Sequence, residues 1–490
     1  MSDSRIRPLP LVRTLDLVPE ETIERIHEAS IQVLARTGMQ IRSETLVKAL
    51  EAEGGDADLE ALRVRFPRDM VEEAIERAPS SYTMYARDPA ADVVLDGLNC
   101  YLTCDGCASE VVDLRTGRMR PSTKQDLMDT TRVADAIPEI SIAWQPCAAR
   151  DVPTHVQPLH ELHAQLLSTS KNIQQMTVIE PHHAGAAVEM AAVVAGGEEE
   201  LRRRPILSAF QCTLSPLTLD GGPLESAVIY GKAGIPCGIV VMPLTGATAP
   251  MTVAGTLVLQ NAELLGAITC LEFLAPGTPT FYGVCTSTMD LNSGSLSLGW
   301  GPEEQLFSFA SAQLARRYRI PSQIGTFGTG AKTQDWQAGA QHALSGFTSY
   351  LAGGDMLCAS GTIYGGRVFS FENMLLDSEL LGIAVRVLQG FPDGDDELAI
   401  DVIEEVGPGG HFLAADHTLR HMRGLWQPRF FGRDSWEDWE AAGRPEPKHR
   451  ARERAVKILE EHTPTPLSDA VEEELRRIID HHTLEGAIDG

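Results

Sequence analysis

The chain has 490 residues, 43% of them hydrophobic and 22% charged. That is apolar material enough for a large core, and it excludes a disordered chain. Lys and Arg number 41 against 68 Asp and Glu, a formal charge of −27; such a surface repels phosphate backbones and anionic lipid, so neither nucleic acid nor membrane is an expected partner.

Nine Cys, an odd and sparse set, do not make a disulfide framework, and a reducing cytoplasm is the expected setting. The opening MSDSRIRPLPLVRTLDL interrupts its apolar residues with Arg and Asp, so no signal peptide is expected. Residues 1–120 read as a helical and hairpin extension. Pro19-Glu20-Glu21 opens a helix with Pro near its first position and acids against the dipole. Ile23, Ile26, Ser30, Val33 and Leu34 then make one stripe, which Gly38 can close. Two shorter helices are predicted near 43–53 and 68–78. The segment Asn99–Arg118 reads as a hairpin, YLTC and EVVDLRTGR about a DGCAS turn.

From 121 to 392 short β-rich runs alternate with helical ones. Candidate strands are Ile140–Trp144, Ile173–Ile179, Pro205–Cys212, Gly238–Met242, Thr280–Cys285, Ser322–Thr326 and Asp355–Ala359. Repeated strand–helix units imply parallel strands with right-handed crossovers. With an eighth strand from Arg367–Phe371 or from the earlier hairpin region, the reading is a (β/α)8 TIM barrel. A doubly wound open sheet ranks second, because no GxGxxG follows the first strand. The charge-free run from Ala233 to Ala262 holds Pro236, Pro243 and Pro250 and reads as a buried strand, loop and helix, not a membrane span. Residues 393–490, with Trp426, Trp436 and Trp439, read as a helical extension wrapping the barrel.

In such a barrel chemistry belongs at the C-terminal ends of the strands. Those ends are rich in Thr, Ser, Gly and aromatics and poor in charge. Trp144, Phe327, Trp336 and Tyr364 can box a cation with their ring faces. The loops carrying Thr245-Gly246 and Gly328, with Lys332 beside them, can offer donors to an anion. Glu180 and His182 are candidate polar liners. Cys104-x-x-Cys107 with Cys100 nearby, and His160-x-x-His163, are possible metal ligands that lack a complete zinc set. His411, Asp416, His417 and His421 cluster near the C-terminus and suit structural hydrogen bonds.

Several stretches, in order along nearly the whole chain, resemble the trimethylamine methyltransferase family. They include IHEASIQVLARTGMQI, EVVDLRTGRMRPSTKQDL, LQNAELLGAITCLEFLAPGTPTFYG, GPEEQLFSFASAQLARRYRIP, TGAKTQDWQAG, LAGGDMLCASGTIYGG and IDVIEEVGPGGHFLAADHTLRHMRGLW. The resemblance implies a TIM barrel that moves a methyl group from a methylated amine to the cobalt of cobalamin, a corrinoid carried by a partner protein, with no metal bound directly. Archaeal trimethylamine members carry pyrrolysine. This sequence has none, which fits the branch that demethylates quaternary amines such as glycine betaine. Trp336 stands where the family often has a small residue, and Ala340-Gln341 where Tyr-Glu is common. The resemblance thus implies a glycine-betaine-like quaternary amine as substrate, its cation against the four rings and its carboxylate on Lys332 or the glycine-rich loops. A homo-oligomer is expected. Two alternatives stand beside this: zinc-assisted methyl transfer from a thiol or alcohol, using Cys100, Cys104 and Cys107 or the His cluster, and a non-catalytic binder of betaine or of a corrinoid protein.

Overall fold

Eight short runs of β-formers, each followed by a helix, close on themselves. A computed structural model describes residues 5–486 other than Asp105, Cys107, Met176 and Thr177. The barrel strands are β1 (Asn99–Cys104), β2 (Ile140–Trp144), β3 (Asn172–Gln175), β4 (Leu207–Cys212), β5 (Cys237–Val241), β6 (Tyr282–Val284), β7 (Ser322–Thr326) and β8 (Met356–Ser360). Neighbours pair in parallel around the ring, and β8 returns to β1 with Met356 opposite Tyr101. The helices that follow them are α1 (Lys124–Ala136), α2 (Gln157–Ser168), α3 (Pro181–Ala195), α4 (Gly221–Lys232), α5 (Val253–Leu274), α6 (Pro302–Tyr318), α7 (Trp336–Ala352) and α8 (Phe371–Leu388).

The eighth strand comes from the segment read as a hairpin. YLTC does not pair with EVV. Asn99–Cys104 enters the barrel as β1, on the N-terminal side of the boundary placed at residue 120. Glu110–Val112 instead joins a small sheet over the rim, with Met119–Pro121 and the Thr362–Phe369 loop. The reason is burial: β1 alternates Tyr101 and Thr103 into the lumen with Cys100, Leu102 and Cys104 against the helices, and a two-stranded ribbon could not bury both faces.

Both extensions serve the barrel. In the N-terminal one, Glu20–Arg36 lays Ile23, Ile26, Ile31 and Leu34 on α5, each such side chain contributing roughly 1.5–3 kcal/mol on burial. Gly38 (φ 71°) ends that helix, and its Cα faces the Val64 carbonyl so closely that a Cβ would collide. Helix α5 is apolar and long enough to cross a membrane, yet most of it is buried between this helix and the barrel. The antiparallel pair Tyr82–Met84 and Val93–Leu95 plugs the N-terminal end of the barrel, packing Met84, Val93 and Leu95 with Ile142, Phe210 and Met356. In the C-terminal extension, α9 (Pro447–Glu461) packs on α8 and α1, and α10 (Asp469–Gly486) on α3.

Several ionisable groups are buried where they cannot easily hold charge. Lys171 is enclosed by the carbonyls of Ala134, Ile137 and Ile140 at 2.6–2.9 Å, and burial lowers its pKa to about 8. Burial, with Lys124 and His160 nearby, lowers His163 from 6.5 to about 4; neither ring nitrogen has a hydrogen-bond partner. Between those two pH values the unfolded chain binds the proton and the folded chain does not, so this group's contribution falls as pH drops from 6.5 towards 4 and is flat above. The gap corresponds to roughly 3 kcal/mol at most. We expect His163→Leu to hold its melting temperature at neutral pH and to lose less of it than the wild type between pH 6.5 and 4. Parallel melting curves for the two proteins would show that this histidine contributes nothing.

Candidate active site

The barrel lumen is built from one face of each strand, and strand register says which residues share it. Trp144 lies opposite Gln174, Gln174 opposite Ser208, Cys212 opposite Val240, Val240 opposite Gly283, Gly283 opposite Gln323, and Gln323 opposite Met356. Partners in adjacent parallel strands point to the same side. Among the described residues this ring, with Tyr101, Thr103, Ile142, Asn172 and Phe210, carries no formal charge. Low in the lumen, Ser208 donates to Asn172 Oδ1 at 2.8 Å, and Asn172 Nδ2 donates to the Tyr85 carbonyl at 2.7 Å, closing the floor.

One level higher the polar groups are left open. Gln174 is fully buried, and neither amide atom has a hydrogen-bond partner. Gln323 Oε1, near the start of β7, and Thr326 Oγ1 and Ser360 Oγ, at the C-terminal ends of β7 and β8, are also buried without partners. Buried polar atoms are rarely left so, each costing about 1–3 kcal/mol, and orphans gathered at a barrel mouth point to a ligand. Trp144 walls this region. Its indole meets Phe210 edge-on, centroids 4.9 Å apart, and lies so close to Gly106 that a Cβ there would overlap it.

Side chains from the helices below hold the rim loops. Glu161 on α2 accepts the Ala149 N–H at 2.9 Å, after β2. Glu263 on α5 accepts from Leu217 N–H, Thr213 Oγ1 and Ser215 Oγ at 2.8–2.9 Å, after β4. Glu304 on α6 accepts from Thr288 N–H and Oγ1 at 2.8 and 2.7 Å, after β6. Asp377 on α8 accepts the Gly361 N–H at 2.8 Å, after β8, and lies 2.6 Å from His342 Nδ1. Burial pushes the carboxyls of Glu161 and Glu263 above the ordinary carboxylate range, against the pull of these donors. Gln341 on α7 serves the loop after β7, accepting from Thr329 Oγ1 and Gly330 N–H.

The expected aromatic box does not form. Trp144 faces the lumen, but Phe327 packs outward against Gly346 and His342, among residues of the helical shell. Trp336, the first residue of α7, is 88% exposed. Tyr364 lies on the surface and already meets Lys332 and Arg367 of its own chain. The expected anion cradle is also internally satisfied. Gly328 N–H donates to Ser345 Oγ, Gly246 N–H to the Ala249 carbonyl, and Lys332 Nζ to the Gly330 carbonyl. Thr245 Oγ1 lies 3.0 Å from Thr256 Oγ1. Glu180 and His182 open α3 on the outside of the rim and are exposed. Cys100 and Cys104 face the helical shell, away from the mouth, and Cys107 lies outside the described residues. His160 lies 3.1 Å from Lys124 Nζ. His417 and His421 gather on Asp396.

Gln174 was legible in one respect. NIQQ is a buried barrel strand that alternates Asn172 and Gln174 on a single face, and amides on the inner face of a parallel strand need partners. The carboxylate clamps carried no such sign, because Glu161, Glu263 and Glu304 sit in helices where an acid reads as solvent-facing.

Two solved structures of a methylamine enzyme share this architecture. One is described as the monomethylamine methyltransferase MtmB of Methanosarcina barkeri and the other as a hydroxylamine MtmB complex; each superposes with a TM-score of 0.50 at 13% identity, over 90–91% of this chain and 92–93% of theirs. In sequence, the chain is 33% identical over 461 residues to the trimethylamine methyltransferase MttB of Desulfitobacterium hafniense, spanning 94% of this chain and 92% of that one. It is 32% identical over 472 residues to a glycine betaine methyltransferase of the same species, spanning 96% and 97%. The profile of the family described as trimethylamine methyltransferase (MTTB) matches residues 5–487. With barrel, length and sequence in agreement, the chain is an enzyme belonging to the trimethylamine methyltransferase family.

Proposed function

We propose that this chain removes a methyl group from a glycine-betaine-like quaternary amine and passes it to the cobalt of a corrinoid held by a separate carrier protein. The observation that carries the substrate class is the lumen itself: a buried Gln174 with both amide atoms open, beside Trp144, in a ring of described residues without formal charge. The relative named as a glycine betaine methyltransferase supports the same reading.

The chemistry suits such a site. A quaternary nitrogen departs as a neutral amine, so no proton donor is needed at the nitrogen. Its positive charge disperses as the methyl leaves, and a carboxylate held against it would stabilise the ground state more than the transition state. The indole of Trp144 can attract the cation by roughly 0.5–2 kcal/mol without that penalty. Gln174 Nε2 can donate to the substrate carboxylate, which fixes the direction in which the methyl points. Glu304 is turned to Thr288 and the other helix carboxylates to their loops, so they hold the rim while the lumen stays neutral. The plugged floor leaves the strand C-terminal rim as the side from which a carrier protein approaches. The corrinoid, when its carrier docks, supplies a strong cobalt nucleophile. The orphaned amides and the neutral lumen fit the amine that it would attack.

Incubation with a reduced corrinoid carrier and a panel of glycine betaine, choline, carnitine and trimethylamine is the direct test. We expect dimethylglycine from betaine and no dimethylamine from trimethylamine. Release of no demethylated amine from any quaternary substrate would end this reading. A second prediction concerns Gln174. Replacing Gln174 by Leu removes one hydrogen bond to a charged group, about 1.5–3 kcal/mol, so kcat/KM for betaine should fall by roughly 10- to 150-fold. The melting temperature should hold or rise, since an unsatisfied amide is lost. Unchanged turnover in that variant would remove Gln174 from the site.

A further inference from the structure

A long surface arm of this chain packs against the rest of it only at its Arg429–Phe431 end. Between α8 and α9, residues 391–442 form four short helices, Asp395–Leu398, Ile400–Val406, Asp416–His421 and Trp436–Ala441. None of them makes more than passing contact with another helix or strand. Phe391, Ile400, Ile403, Leu413, Leu419 and Leu425 are all more than half exposed, Leu413 at 86%. Helices of four to seven residues do not persist alone in water. The ties that shape the arm are largely its own: Arg420 and His421 both hold the Asp396 carboxylate, at 2.7 and 2.8 Å, and Thr418 Oγ1 donates to the Phe412 carbonyl at 2.7 Å. It rejoins the barrel where the N–H groups of Arg429, Phe430 and Phe431 donate to the buried carboxylate of Glu379 on α8. An arm this ordered, this apolar and this exposed is shaped for a surface outside its own chain.

A matching surface exists on the same molecule. Helix α7 runs WQAGAQHALSGFTSYLA without one acid, Lys or Arg. On α8 the three acids Glu372, Asp377 and Glu379 are all buried, leaving Arg386 as its one permanently charged side chain toward solvent. Between the two helices lies an open groove of about 610 Å³, lined by Trp336, Ala340, Ala343, Leu376, Leu380 and Phe431. His342, 2% exposed, lines it as well; Asp377 holds its Nδ1, and its Nε2 has no partner. An outer barrel helix bare of charge and flanking an apolar groove is as unfinished as the arm.

The geometry points to a reciprocal pairing in which the 391–425 arm of one chain lies across the α7–α8 groove of a second copy, which returns its own arm. Two observations favour a second copy over another protein. Both halves of the contact, an unpartnered apolar arm and an uncovered apolar groove, are on this one chain, and one two-fold operation satisfies both. The wall that α7 gives the groove carries no charge, and the charges at its ends are few, Asp335 and Glu446 with Lys448 among them, so it accepts an arm from a partner of the same sign, where a strongly acidic face on a chain of −27 would repel it.

The test uses the full chain in light scattering and sedimentation. An arm variant combines Ile403→Asp with Leu413→Asp, and a groove variant combines Ala340→Glu with Trp336→Asp. All four positions are exposed in the isolated chain, so melting temperature and circular dichroism should match the wild type. The wild type should be a dimer or a larger even assembly, and each variant should dissociate with a Kd raised at least about 100-fold. Mixing the two variants should restore dimers, since one intact arm then meets one intact groove. A wild type that is monomeric at assay concentrations overturns the proposal. So do variants that keep the wild-type mass, and so does a mixture that stays monomeric, which would place arm against arm. A monomeric wild type whose binding to a corrinoid carrier is lost in the same variants would assign the groove to that protein instead.

Discussion

Everything at the mouth of this barrel depends on carboxylates that never reach it. Glu161, Glu263, Glu304 and Asp377 stand on α2, α5, α6 and α8, turn upward, and accept backbone N–H groups of the loops after β2, β4, β6 and β8. A buried carboxylate is costly unless donors surround it, and the loop amides are those donors. The arrangement spends the acid's desolvation on fixing loop geometry. Taking away one partner would leave a charge or an amide uncompensated, a loss of roughly 3–5 kcal/mol. The loops at every second strand are therefore rigid without help from a ligand.

That rigidity allows the lumen to remain neutral. On the proposed reading the site binds a permanent cation whose charge disperses in the reaction, which an acid at the reacting nitrogen would oppose, yet a barrel rim without strong interactions would be loose. Here strong electrostatics are confined to the layer between helix and loop. The lumen keeps an indole, amides and hydroxyls. The open amide of Gln174 lowers stability in the empty protein, and a ligand that pairs with it recovers that loss on binding.

The repeating β/α pattern was legible because seven strands are continuous buried runs between amphipathic or small-residue helices; Ile140–Trp144 and Ser322–Thr326 match residue for residue, and the others agree to within a few residues at each end. β1 was misread for a local reason. Its turn chemistry, DGCAS between two β-rich runs, is a hairpin signal, and only the closure of the ring with β8 and β2 decides against it. The aromatic box failed on side-chain direction. Phe327 follows β7 by one residue and falls on the outward side, while Trp336 starts a helix whose first turn faces solvent. Glycine in a loop also says nothing about free donors: the amides of Gly246 and Gly328 are engaged by Ala249 and Ser345. What could not be read was any contact between residues far apart in sequence, and the clamps are all of that kind, their partners standing 12 to 50 positions apart.

The two extensions divide the barrel's remaining surfaces between them. The N-terminal one closes the floor with its strand pair and shields α5 with a helix, so an apolar helix that would otherwise demand a membrane or a partner is satisfied within the chain. The C-terminal one covers α8 and α3 with its last two helices but leaves α7 bare and carries the 391–442 arm outward. Charge follows the same division. The chain is strongly acidic overall, yet among the described residues the lumen ring and the whole of α7 contain no acid. On the two readings proposed above, a substrate methyl comes close in one of these regions and another polypeptide in the other. The two neutral regions are physically separate, one inside the barrel and one on its flank. Binding at either can therefore be altered by substitution without touching the other.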